Sequence, residues 1–320
     1  MTTRLTTRAS VALSLFSSCL FGLMYYVSTL LTPLSGVEIF GWRMVFTWPI
    51  MTAFLLLGSV TGALSRGWLL VRLTFARLRH EPILWAVLPA SSALLGVQLW
   101  LFLWAPQAHH GLDVALGYFL LPLTMVLAGR IVYGERLSPL LRLAVLAAAV
   151  GVAWEFVRVG RFSWPAALVA LGYPVYFILR REYRTQHLGG LWFDQLLLLP
   201  VAAWFAFGLG QDASNTDAGL RVFALHPMLM LWVPVLGFIS AIALLLYIMA
   251  SRGLPMGLLG LLGYVEPALL VLISLLLGER IEPGQWPIYI AIWVAIALLM
   301  LEGVLRLREQ SGRQQKPKRK

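Results

Sequence analysis

Ten apolar runs, each about as long as a bilayer is thick, leave this chain few residues for anything except spanning helices. They fall at 11–31, 37–57, 82–105, 111–132, 139–157, 163–180, 190–209, 227–250, 253–277 and 284–304. Mean hydropathy is +0.81, with 60% hydrophobic and 12% charged residues. Soluble chains carry roughly 45–50% apolar and about 25% charged residues, so an all-α integral membrane protein is the expected class. The first run follows MTTRLTTRAS and is too long for a cleavable signal core, which makes it the first span.

The net charge of +11 is gathered in loops and at the ends. With the N-terminus inside, 20 of the 25 basic residues lie on the cytoplasmic side, as retention of Lys and Arg there requires. Both termini are therefore expected in the cytoplasm, the N-terminus as residues 1–10. The basic tail, 305–320, reads as an orientation signal and a contact for anionic lipid, not as a nucleic-acid patch. Cys19 stands alone, which excludes an internal disulfide. No nucleotide-binding, metalloprotease or nucleophile-elbow pattern occurs, so no cofactor or metal is implied and an enzyme is not expected.

The segment GYFLLPLTMVLAGRIVYGERLSPL, from Gly117, recurs as GYVEPALLVLISLLLGERIEPGQ, from Gly263. Gly-Tyr, a proline (Pro122 or Pro267), an apolar stretch and Gly-Glu-Arg follow one another in both. The unit holds five spans, an odd number, so the copies 11–157 and 163–304 should be inverted in the membrane. Inverted repeats are a mark of secondary transporters, whose substrate site lies at the midplane between the halves. Each proline frees a carbonyl, of Tyr118 and of Gly263, which a neighbouring Ser or Thr, water or a ligand must satisfy.

Glu266, in LLGYVEP, stands near the centre of the ninth run, where its counterpart in the first copy is Leu121. A carboxylate there costs several kcal/mol unless it faces the interior. Two readings stay open, substrate or proton binding and a static interhelical hydrogen bond. In the second span, Glu38 sits where a helix N-terminus favours negative charge. Arg43 can snorkel to the interface, bind an anionic substrate or reach Glu266. Trp42, Gln98, Tyr118 and Tyr264 are the polar and aromatic candidates for the cavity wall. Gly257, Gly260 and Gly263 suggest close helix packing. Glu135 and Glu279 of the two GER motifs suit capping or loop-fixing pairs, and Asp194 and Gln195 sit where interfacial solvation would suffice.

The paired units, ALGYFLLPL and LLGYVEPAL each leading to GER, closely resemble the EamA-type transporters of the drug/metabolite superfamily. GVEIFGWRM, YPVYFILRREY and LLGLLGYVEPALLVLISLLLGERI resemble its RarD subfamily, and the resemblance covers nearly all of residues 11–304. It implies ten transmembrane helices in a bacterial inner-membrane permease that moves a small metabolite, amino-acid-like solute or drug, with a homodimer left open. The chain departs from the pattern at Leu120 and Leu121, where an asparagine is common, and at Trp42, where a histidine is common. Substrate identity is therefore not carried over. A lipid-modifying enzyme using Glu266 and Tyr264, and a non-transporting scaffold, are the alternatives.

Overall fold

In the computed structural model, residues 7–61, 67–134, 138–159, 163–208, 220–253 and 262–314 are described, and among them there is no strand. The helices are α1 (Thr7–Thr29), α2 (Gly36–Thr61), α3 (Gly67–His80), α4 (Leu84–Trp104), α5 (Gly111–Tyr133) and α6 (Pro139–Val159). They continue as α7 (Trp164–Glu182), α8 (Leu188–Ala206), the single turn α9 (Arg221–Leu225), α10 (Leu229–Gly253), α11 (Val265–Leu276) and α12 (Trp286–Gln314). Eight of them are long and apolar enough to cross a membrane: α1, α2, α4, α5, α6, α8, α10 and the helix that runs from Pro283 through α12. This is a multi-pass membrane protein. The other two expected spans fall short, α7 because Arg180, Arg181 and Glu182 close it, and α11 because its described part has 12 residues.

Local chemistry sets the helix ends. Ser35 and Glu38 close a capping box on α2, the Glu38 carboxylate accepting from the Ser35 N–H at 2.8 Å and hydroxyl at 2.7 Å. Gly134 ends α5 at φ +66°, a left-handed turn glycine enters without a Cβ penalty. The two Gly-Tyr…Pro motifs diverge. Pro122 lies inside the unbroken α5, whereas the chain turns at Gly263 and Tyr264 so that Pro267 falls in the first turn of α11, where proline is tolerated. In α7, Pro174 frees the carbonyl of Ala170, and the Thr124 hydroxyl of α5 donates to it at 2.6 Å.

One segment expected as a loop is a helix. Residues 67–80 form the amphipathic α3, which packs mainly on α8. Elsewhere α1 packs on α10 and α11, α2 on α8 and α10, α4 on α7 and α8, α5 on α7 and α11, and α6 on α12. The largest apolar cluster joins Met24, Tyr25, Phe40, Trp42, Phe102 and Leu236. Glycines set the approach of several helices. A Cβ at Gly41 would strike the Ala202 carbonyl of α8, and one at Gly117 would stand 2.7 Å from the Val169 Cβ of α7.

Candidate functional site

Arg43 lies two turns into α2 and is 0% exposed, so it does not snorkel. Its Nε donates to the Ser240 hydroxyl of α10 at 2.9 Å. Both terminal amino groups, Nη1 and Nη2, are buried with no partner among the described residues. Glu266, in the first turn of α11, is half-buried and makes no hydrogen bond or ion pair to the described residues. The charges of Arg43 and Glu266 act on each other, and both act on the phenols of Tyr118 and Tyr173. Tyr118 of α5 and Tyr173 of α7 join hydroxyl to hydroxyl at 3.1 Å. The Glu266 charge acts on the phenol of Tyr247 of α10 as well, a residue that is partly exposed. Phe102 meets the Tyr118 ring edge-on at 6.1 Å, and Phe177 stacks on Tyr173 at 6.2 Å.

Five helices thus converge on a buried cation whose terminal donors and a carboxylate whose acceptors are unused among the described residues, beside a set of phenols. Such a set can bind a small solute carrying a carboxylate, which takes the planar guanidinium fork, and a cationic or proton-bearing group.

Other candidates lie elsewhere. Glu38 is engaged in the α2 cap, though its Oε1 is buried without a partner among the described residues. Trp42 packs edge-on against Phe207 and Phe223, with centroids at 5.2 and 5.0 Å. The Gln98 amide donates to the Leu168 carbonyl of α7 at 2.8 Å, and its oxygen has no partner among the described residues. Tyr264 packs with Leu116, Phe119 and Ile288 in a second cluster, its buried hydroxyl without a partner among the described residues. Glu135, Gly257 and Gly260 lie outside the described residues.

Tyr173, Tyr247 and Ser240 are not legible in the sequence, because one hydroxyl in an apolar run carries no signal of its own. The reading of Asp194 and Gln195 as interfacially solvated is corrected. Asp194 is 0% exposed and accepts from Ser91 Oγ at 2.8 Å and Tyr176 OH at 2.9 Å, with the Arg180 guanidinium at 3.4 Å. Ser92 Oγ donates to its backbone carbonyl at 2.7 Å. Gln195 is equally buried, with neither end of its amide partnered among the described residues.

Glu279 caps a helix of the other half. Its carboxylate accepts from the Gly111 N–H at 2.9 Å and the Leu112 N–H at 2.8 Å, at the start of α5. Burial raises the carboxyl above the ordinary 4.5, while the two amide hydrogen bonds pull it back. A carboxyl raised in the folded state favours folding most in acid, and that contribution is lost as pH rises through the folded value. Thermal unfolding in detergent should therefore show the native chain losing stability relative to Glu279→Gln as pH rises from below 4.5. Parallel curves across that range would refute it.

No family model matches the chain. An uncharacterized transporter of Pasteurella multocida is 40% identical over 300 residues, spanning 94% of this chain and 98% of that protein. A Pseudomonas aeruginosa protein named chloramphenicol-sensitive protein RarD is 42% identical over 304 residues, spanning 95% and 97%. A solved crystal structure, 18% identical, matches 94% of this chain and 99% of its own with a TM-score of 0.57, a likeness of fold alone.

Proposed function

The chain belongs to the family of RarD-like membrane transporters, and we propose that it is a secondary transporter of a small metabolite, amino-acid-like solute or drug. Ten spans in two inverted five-helix halves rock about a midplane site to give alternating access. The carrying observation is the fully buried Arg43, whose two terminal amino groups lack partners among the described residues while Glu266 and Tyr118 face it from other helices. A charge kept in the interior with unused donors is suited to a ligand that supplies the acceptors.

Helix packing supports the inverted halves. Counting α1, α2, α4, α5 and α6 against α7, α8, α10, α11 and α12, exchange of counterparts turns the pair α1–α10 into α4–α7. It likewise turns α1–α11 into α5–α7 and α2–α10 into α4–α8, while α2–α8, α5–α11 and α6–α12 map onto themselves. The loop charges favour an inner membrane location with both termini cytoplasmic.

In this mechanism Arg43 binds the solute carboxylate, and Glu266 takes its ammonium group or a proton. Tyr118, Tyr173 and Tyr247 line the cavity and give the solute hydroxyls. Protonation of Glu266 on one side and its release on the other would couple solute flux to a pH gradient. Liposomes containing the protein and loaded with amino acids, small carboxylates and chloramphenicol test this when efflux is followed by mass spectrometry. Flux of at least one solute above protein-free liposomes is expected, with dependence on the pH gradient lost in Glu266→Gln. The transport reading fails if no solute leaves faster than from empty liposomes. The role of Glu266 fails if Glu266→Gln behaves as native at every pH.

A further inference from the structure

We propose that α3 is an in-plane docking surface for anionic phospholipid headgroups, with Arg72 and Arg79 as the groups that grip the phosphate. Its 14 residues reach about 21 Å at 1.5 Å each, too short to span, and it carries three arginines and no acid. Only Gly67, Val71 and Thr74 are buried, a single stripe turned toward α8. There Gly189 of α8 presses against the Leu70 carbonyl, so close that a Cβ would not fit. This contact holds α3 against the start of α8, between the end of α2 and the head of α4.

The arginines divide in two. Arg77 is occupied, donating to Glu81 at 2.7 and 2.8 Å and to the carbonyls of Tyr183 at 2.9 Å and Arg184 at 3.1 Å. It ties α3 to the turn between α7 and α8. Arg72 and Arg79 are exposed and make no hydrogen bond or ion pair to the described residues. Seven residues apart, they emerge from the same side of the helix, about 10 Å from each other. Leu69 at 47%, Leu73 at 50% and Phe75 at 48% are exposed around them. At the head of α4, Trp85 is 69% exposed with its ring N–H on the Leu78 carbonyl at 3.1 Å.

A helix with apolar side chains and unpaired arginines on its outer surface lies in the headgroup region, burying the former in the acyl boundary. A guanidinium fork matches the oxygens of a phosphate diester, and a net positive helix selects anionic over zwitterionic headgroups. This surface needs only a bilayer, and it stands whether or not Arg43 and Glu266 bind a solute. It is also distinct from the basic tail beyond residue 314.

The test uses the full-length protein in neutral detergent, titrated with phosphatidylglycerol, phosphatidylcholine or inorganic phosphate, with bound lipid counted by native mass spectrometry. Phosphatidylglycerol should bind in preference to phosphatidylcholine. Each arginine should contribute about five-fold, so Arg72→Gln with Arg79→Gln should weaken phosphatidylglycerol about 25-fold while leaving lipid-free thermal stability unchanged. Replacing Lys316, Lys318, Arg319 and Lys320 by glutamine should leave most of the preference in place. Equal binding of the two lipids, native affinity in the arginine variant, full competition by inorganic phosphate, or loss of the preference with the tail alone would each overturn the assignment.

Discussion

Arg43→Met combined with Glu266→Gln is expected to give a folded protein about 1–4 kcal/mol more stable than the native chain and at least about 100-fold slower at moving solute. The gain follows from removing a guanidinium that is wholly buried yet bonded only through Nε to Ser240 among the described residues. Replacing buried charges by apolar or neutral groups of similar volume is commonly neutral or stabilising. The loss of flux follows from the same two amino groups. Each hydrogen bond to a charged group is worth about 1.5–3 kcal/mol, and two lost together reach about 100-fold. Arg43→Met alone should be less stable than the double variant, because Glu266 then keeps its charge without the facing cation. Arg43→Lys keeps the charge but not the fork, and should transport more slowly than the native chain without losing stability. Denaturation in detergent and flux in liposomes separate the two effects. A double variant of lower stability and native flux would make Arg43 a structural residue.

Helix positions were legible because hydrophobicity is a local property, and among the described residues the apolar runs fall largely on helices. One end was legible where a charge marks it, as with Glu38 in the first turn of α2, though not its partner Ser35. α3 was not, because three arginines dilute its hydropathy and only the spacing of Gly67, Val71 and Thr74 marks a buried side. Two equal Gly-Tyr…Pro motifs also promised two equal breaks, yet one lies within a continuous helix and the other beside a turn. Backbone context, not the motif, decides which occurs. Charges in apolar runs, such as Arg43 and Glu266, announce themselves by their cost. Their hydroxyl neighbours Tyr173, Tyr247 and Ser240 do not, since a hydroxyl in a run costs little and can bond to its own helix. Glu279 reaches the head of α5 from 168 residues away, a relation no local pattern holds.

Asp194 shows how a buried charge differs when its bonds are complete. Its carboxylate accepts from Ser91 of α4 and Tyr176 of α7 and pairs with Arg180, whereas the terminal donors of Arg43 stay unused among the described residues. A satisfied network of this kind joins helices, whereas the unused donors of Arg43 are what the proposed solute would fill. Asp194→Leu should therefore destabilise by about 3–5 kcal/mol, because Arg180 is left buried without its counter-charge. Asp194→Leu with Arg180→Met removes both charges and should recover most of that loss, with flux close to native. The recovery separates the two roles. If the double variant regained stability but lost transport, the network would belong to the solute path. If Asp194→Leu alone kept native stability, the pair with Arg180 would contribute nothing to holding α7 and α8 together.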